Sequence, residues 1–301
     1  MLPRLATMAT TSSSAHSGTA GGPGAAAGRR RTVVPARVPV VLAAAVVLTQ
    51  ISYPLLSGDA LRVCTVLAVV LFAAASLAHA ATTRGGAAAA VLLAVAGGLG
   101  LAAETAGVST GVPFGEYAYA DTLGPKLFGV PVVVPLAWTM MAWPCLLLGR
   151  RLAAGRSGVS RRVVVAASGG LTLAAWDLYL DPQMVQAGHW VWRFPEPALP
   201  GVPGIPLTNY AGWVLVALLM VAALDATVPA GPVDLRDAGR VDARSEAVPA
   251  ALLAWTWLGS GLANLAFFGR PAVAAYGIVA MGVCTGPYLA RVVRGLRAGD
   301  R

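Results

Sequence analysis

Charge is scarce in this chain. Asp, Glu, Lys and Arg make up 12% of 301 residues, against about a quarter in a soluble domain. So little polar surface could not cover a water-soluble fold of this size. Histidine is scarcer still: His16, His79 and His189 stand far apart, which excludes the His-rich centre that a membrane di-iron hydroxylase needs. Cys64, Cys145 and Cys284 all fall inside apolar runs without CxxC spacing. They read as small buried hydrophobes rather than as thiol metal ligands or a redox pair. No GxGxxG or GxxxxGK[ST] loop is present to cradle a nucleotide, and no Ser-His-Asp set is recognisable.

What remains is hydrophobic: 57% of residues, with a mean hydropathy of +0.69. Apolar runs near 38–56, 61–81, 87–108, 130–149, 163–180, 207–227, 248–268 and 271–290 approach the roughly 20 residues that cross a bilayer as helix. The expected fold class is therefore an all-α polytopic membrane helix bundle of about eight transmembrane helices. The basic residues orient it. All but four of the 22 Lys and Arg residues belong to segments that an eight-span chain puts on one side, the exceptions being Arg62, Lys126, Arg193 and Arg270. Positive charge collects on cytoplasmic loops, so both termini are expected to be cytoplasmic, and the net charge of +9 calls for no nucleic-acid partner.

The organisation that follows is a low-complexity cytoplasmic tail over 1–35, a transmembrane domain over 36–292 and a short cytoplasmic tail over 293–301. Its larger loops are 109–129 and 181–206 outside and 228–247 inside. The first apolar run reads as an uncleaved helix rather than a signal peptide, because more spans follow it.

The acids are the informative residues. Asp234, Asp237, Asp242, Glu246 and Asp300 mix with Arg in cytoplasmic segments, Asp225 ends the sixth span near that face and Asp59 lies in a short outer turn, but Glu104, Glu116, Asp121, Asp177, Asp181 and Glu196 gather at the outer ends of spans three and five or in the loops after them. The two helix–loop–helix units also resemble each other: "LAAETAG" precedes "GVPVVVPLAW", and "LAAWDLY" precedes "GVPGIPLTNYAGW". Each loop mixes acids with aromatics. Rings at an interface can be a plain aromatic belt, and prolines there can be helix punctuation. Carboxyl groups inside spans are costly and usually face a cavity. Carboxyls, aromatics and an apolar interior suit proton transfer to a lipidic substrate without a cofactor. Asp177 and Asp181, four apart on one helical face, also suggest a prenyltransferase. That reading lacks a second Asp-rich motif and places the acids on the wrong side for cytoplasmic diphosphates. A transporter with an acidic pathway uses similar residues.

At "TGVPFGEYAYADTLGPKLFGVPVVVPLAWTMMAWP", "WDLYLDPQMVQAGHWVW" and "GIPLTNYAGW" the chain resembles the polytopic carotenoid biosynthesis proteins of the carotenoid 1,2-hydratase and bisanhydrobacterioruberin hydratase type. The likeness by motif covers roughly 95–225. It implies addition of water to the terminal C1=C2 bond of an acyclic carotenoid end group, giving a tertiary alcohol. The implied partners are an acyclic carotenoid, water, the lipid bilayer of the cell membrane and other carotenoid pathway enzymes. A cyclase, also acid-initiated, is the nearest alternative activity. Hydration of such an alkene needs an acid for C2, a shield for the cation at C1 and a captured water. The expected proton donor is Asp177 or Glu104, with Asp181 as the paired carboxyl. Glu116, Asp121 and Asn209 would handle water. Tyr117, Tyr119, Trp138, Trp176, Trp190 and Trp192 would line the end-group pocket. No metal site and no cofactor are expected.

Overall fold

A computed structural model describes residues 34–229 and 243–299. Residues 1–33 of the expected tail over 1–35 and residues 230–242 of the 228–247 loop lie outside the described residues. The helices follow the apolar runs, because hydrocarbon leaves the backbone no partner but itself. They are α1 (Arg37–Ser52), α2 (Gly58–Arg84), α3 (Gly86–Leu92), α4 (Gly98–Thr110), α5 (Val133–Leu152), α6 (Gly158–Gln186), α7 (Leu207–Thr227), α8 (Ala247–Ala266) and α9 (Pro271–Gly299). α3 and α4 form one column, joined where the helix widens to π-type over Leu93–Gly97.

Seven of the resulting columns among the described residues are long and apolar enough to cross a membrane. The eighth expected span, α8, has the length at 20 residues, but Trp255, Trp257, Ser260 and Asn264 dilute its apolar character. The protein is an all-α polytopic bundle. Two helix ends lie later than expected. α6 runs on to Gln186, so Asp181 belongs to helix rather than loop and stays in register with Asp177. The loop expected over 181–206 begins only after it. At the C-terminus, α9 continues through the expected tail as far as Gly299.

α5 is the central column, buried along most of its length by α2, α6 and α7. It meets α6 closely at two glycines. A Cβ on Gly149 would stand 2.6 Å from the Val165 carbonyl oxygen, and one on Gly169 would stand 2.6 Å from that of Cys145. Small residues of this kind let backbones touch where lipid gives helices no hydrophobic reason to associate. One end of the bundle is tied by ions: Asp225 of α7 accepts from Arg150 and Arg161, each at 2.8 Å. At that end His79 accepts from the Trp143 indole at 3.0 Å, while its other ring nitrogen reaches the Ser245 carbonyl at 2.7 Å. His79 is thus a latch between α2, α5 and the approach to α8.

The opposite end carries the two acidic loops, and they are built alike. Each gives one strand to a shared antiparallel ribbon: β1 (Tyr117–Tyr119) pairs with β4 (Trp190–Trp192). Each then makes a tight hairpin, β2 (Lys126–Leu127) with β3 (Val130–Pro131) and β5 (Ala198–Leu199) with β6 (Val202–Pro206), before the next helix starts. The first hairpin turns through Phe128 and Gly129, both at positive φ (52° and 83°), as a two-residue turn of the favoured twist requires. The resemblance between the two units in sequence thus extends to the order of their elements.

Candidate active site

The ribbon decides where the aromatics point. Its register sets Tyr117 opposite Trp192 and Tyr119 opposite Trp190, with Ala118 opposite Val191 between them. Side chains alternate along a strand, so all four rings turn inward while Ala118 and Val191 face out, Val191 being 63% exposed. The rings pack edge to face or tilted, with centroids 5.4 to 5.6 Å apart. They roof an apolar pocket with about 600 Å³ of space between atoms, the open solvent at its mouth included, whose walls come from α2, α4, α5, α6 and α7.

Three carboxyl groups lie under this roof. Glu104 of α4 is buried, and every bond it makes is as acceptor. One oxygen takes a hydrogen bond from the Tyr117 hydroxyl and a second, at 2.7 Å, from that of Tyr119. The other oxygen takes one from the Trp138 indole at 3.0 Å. Burial, and then the neighbouring Glu104 charge, hold both tyrosine hydroxyls well above their usual pKa, so they remain donors. Across the pocket Asp177 and Asp181 share one donor. The Asn209 amide nitrogen bonds to Asp177 at 2.9 Å and also to Asp181. Asp181 faces the pocket and Asp177 stands behind it, fully buried, with its second oxygen unpartnered. Both aspartates lie within electrostatic reach of Glu104.

The other expected residues sort cleanly. Tyr117, Tyr119, Trp138, Trp190, Trp192 and Asn209 line the pocket. Trp176 does not; it lines a neighbouring cavity and meets the pocket residue Trp213 edge to face at 6.0 Å. Asp121 points to solvent, its carboxylate 96% exposed and bonded to Lys126 at 2.6 Å. That bond keeps it below the usual carboxylate range. Glu116 sits in an outer depression and pairs with Arg193 at 3.2 Å. Neither joins the buried carboxyls, because residues in turns outside the ribbon have no route under it. The depression holding Glu116 shares Tyr117 and Trp192 with the pocket, so one layer of rings separates the two.

Two aromatic residues of the pocket were not among the expected site residues. Trp213 stacks flat on Trp138 with centroids 4.0 Å apart, and Phe114 packs against Tyr117 and Trp213. The signal for Trp213 was its position four after Asn209, hence on the same face of α7.

The carotenoid biosynthesis protein family matches residues 64–284, a stretch that holds the whole pocket. The chain belongs to that family. It is also 38% identical over 128 residues to the bisanhydrobacterioruberin hydratase of Haloarcula japonica, a match covering 40% of each chain. The alignment thus spans about two fifths of that curated relative. No solved structure matches this chain. Membership gives the pocket its broad setting: a multi-pass membrane protein of carotenoid biosynthesis whose buried acids sit among rings.

The fit between α4 and α5 is tight at Gly100, one turn before Glu104. A Cβ there would lie 2.7 Å from the Trp138 ring, and that ring, 1% exposed and stacked on Trp213, has nowhere to retreat. Gly100→Ala should displace the indole from Glu104 and lower turnover about tenfold, since a misplacement of 1 Å costs up to 100-fold. Turnover within twofold of wild type would show that the indole contact is dispensable.

Proposed function

We propose that this protein hydrates the terminal C1=C2 bond of an acyclic carotenoid end group without a cofactor. In this reading it acts in the cell membrane with both termini cytoplasmic and the ribbon on the outer face. The observation that carries the reading is the buried Asp177–Asn209–Asp181 set facing Glu104 across a ring-lined apolar pocket. Two close carboxyls out of water can hold one proton between them. Asp181, which faces the pocket, delivers that proton to C2. The π pair becomes the new C2–H bond and leaves a tertiary cation at C1.

Three features meet the cation. Glu104, acceptor in all its bonds, supplies opposite charge. The stacked Trp138 and Trp213 offer a ring face, worth about 2 kcal/mol or more when desolvated. The tyrosine hydroxyls and the Trp138 indole fix Glu104 in place, so little reorganisation is needed as charge develops. Water reaches C1 from the depression beside Glu116, past Tyr117 and Trp192. Its oxygen bonds to C1, and the proton it sheds returns to the aspartate pair, so no other reagent is consumed. Asp121 takes no part.

Membranes containing the protein and an acyclic carotenoid, incubated in heavy-oxygen water, should yield a tertiary alcohol carrying the heavy atom. A polar product without label would defeat the reading. An isomer of unchanged mass would point instead to cyclisation, which the same acid could begin.

A further inference from the structure

Even with its open mouth counted, the pocket is too small to take the long polyene along with the reacting end group, so the chain must leave by some route. The ribbon closes the outer side. On another side, Thr65 and Val69 of α2 with Leu180 and Met184 of α6 line the pocket and also line a second cavity. A wall shared by two cavities is one layer of side chains thick, and Leu and Met are among those that rearrange most readily. The second cavity holds about 890 Å³ of empty space between α1, α2, α6 and α8. Its floor is apolar, formed by Ala68, Phe72 and Met140 with the Trp176 and Tyr179 rings. Its membrane side is α1, which buries only Pro39 and Val46 along its length. α1 is fastened to α8 by the Trp255 indole donating to Gln50 at 2.7 Å.

We propose that this second chamber holds the stretch of polyene adjoining the reacting end, and that the chain enters it from the bilayer between α1 and α8. Continuity with the reaction pocket, an apolar floor and a lightly packed outer helix each favour a hydrocarbon chain over a polar ligand. The inference rests on the hydration reading for the identity of the reacting end, but not for the presence of the chain in the chamber.

Ala263 of α8 lines the chamber and not the reaction pocket, so a larger side chain there narrows only the former. The test uses full-length protein in lipid nanodiscs and two probes: an acyclic carotenoid hydrocarbon, and a short acyclic alkene with the same end group. Polyene retained after gel filtration is read by its absorbance, and water addition is read by mass for both probes. In Ala263→Phe, polyene retention and the ratio of long- to short-probe hydration should each fall about tenfold, the scale of a crowding penalty in a filled site. Ala263→Leu gives the same comparison, smaller in size, if the Phe variant does not assemble. Retention and ratio within twofold of wild type would overturn the proposal. Loss of retention with no water added by any form would leave the chamber standing and remove the hydration reading. Water addition with an unchanged ratio would do the reverse.

Discussion

Asp181→Asn should reduce hydration of an acyclic carotenoid by about a thousandfold, within the range that general acid catalysis contributes. The amide is nearly isosteric and Asn209 can still pair with it, so the helix bundle should keep its gel-filtration profile. What disappears, on the hydration reading proposed above, is the proton aimed at C2. Asp177→Asn removes the group behind the donor and should cost less, about a hundredfold, because Asp181 still faces the pocket. The double substitution should be little worse than Asp181→Asn alone, since residues acting as a unit are not additive. A double variant a further hundredfold slower would mean that the two aspartates act separately. Substantial activity in Asp181→Asn would remove it as donor.

Glu104→Gln should have the next largest effect, a loss of about 10² to 10³ in kcat with KM little changed. That is the cost of deleting one preorganised electrostatic partner of a developing charge. The carboxylate is the common acceptor of Tyr117, Tyr119 and Trp138, so the substitution removes the counter-charge and disturbs three donors together. Tyr119→Phe removes one donor and leaves the charge, and should cost about tenfold. This order, with the charge above any single donor, separates a cation-facing role for Glu104 from one of merely propping up the roof. Equal losses in both variants, with KM rising in step, would favour the structural role.

Much of this arrangement was legible in the sequence. The apolar runs gave the helices because in hydrocarbon a long uncharged stretch has little choice of structure. Glu104 and Asp177 stood out because carboxyls inside such stretches are costly, and Asp181 because it stands four residues after Asp177. Acids in loops were harder to rank. Glu116 and Asp121 look by composition like Glu104, and only the fold separates a residue beneath the ribbon from one outside it. The ribbon itself pairs positions some 70 residues apart. No local pattern encodes that partnership, although the alternation in "EYAYA" and "HWVWR" carries the period of a strand. The apolar run that marks α6 ends at Leu180, yet the helix continues to Gln186 with Pro182 accommodated inside it, which leaves Asp181 aligned with Asp177. Trp176 was assigned to the end-group pocket from its neighbour Asp177, but adjacent residues on a helix point about 100° apart, and it faces the other chamber.

The three-residue ladder between β1 and β4 makes the outer loops less free than loops usually are. Strand side chains alternate, so a slip of one position in β4 would swing Trp190 and Trp192 outward together, and one in β1 would do the same to Tyr117 and Tyr119. Glu104 would lose two of its three donors in the same movement. An insertion or deletion of a single residue between α4 and β1, or between α6 and β4, would therefore do more harm than several replacements within those segments, and chain length there is as much a part of the catalyst as any side chain.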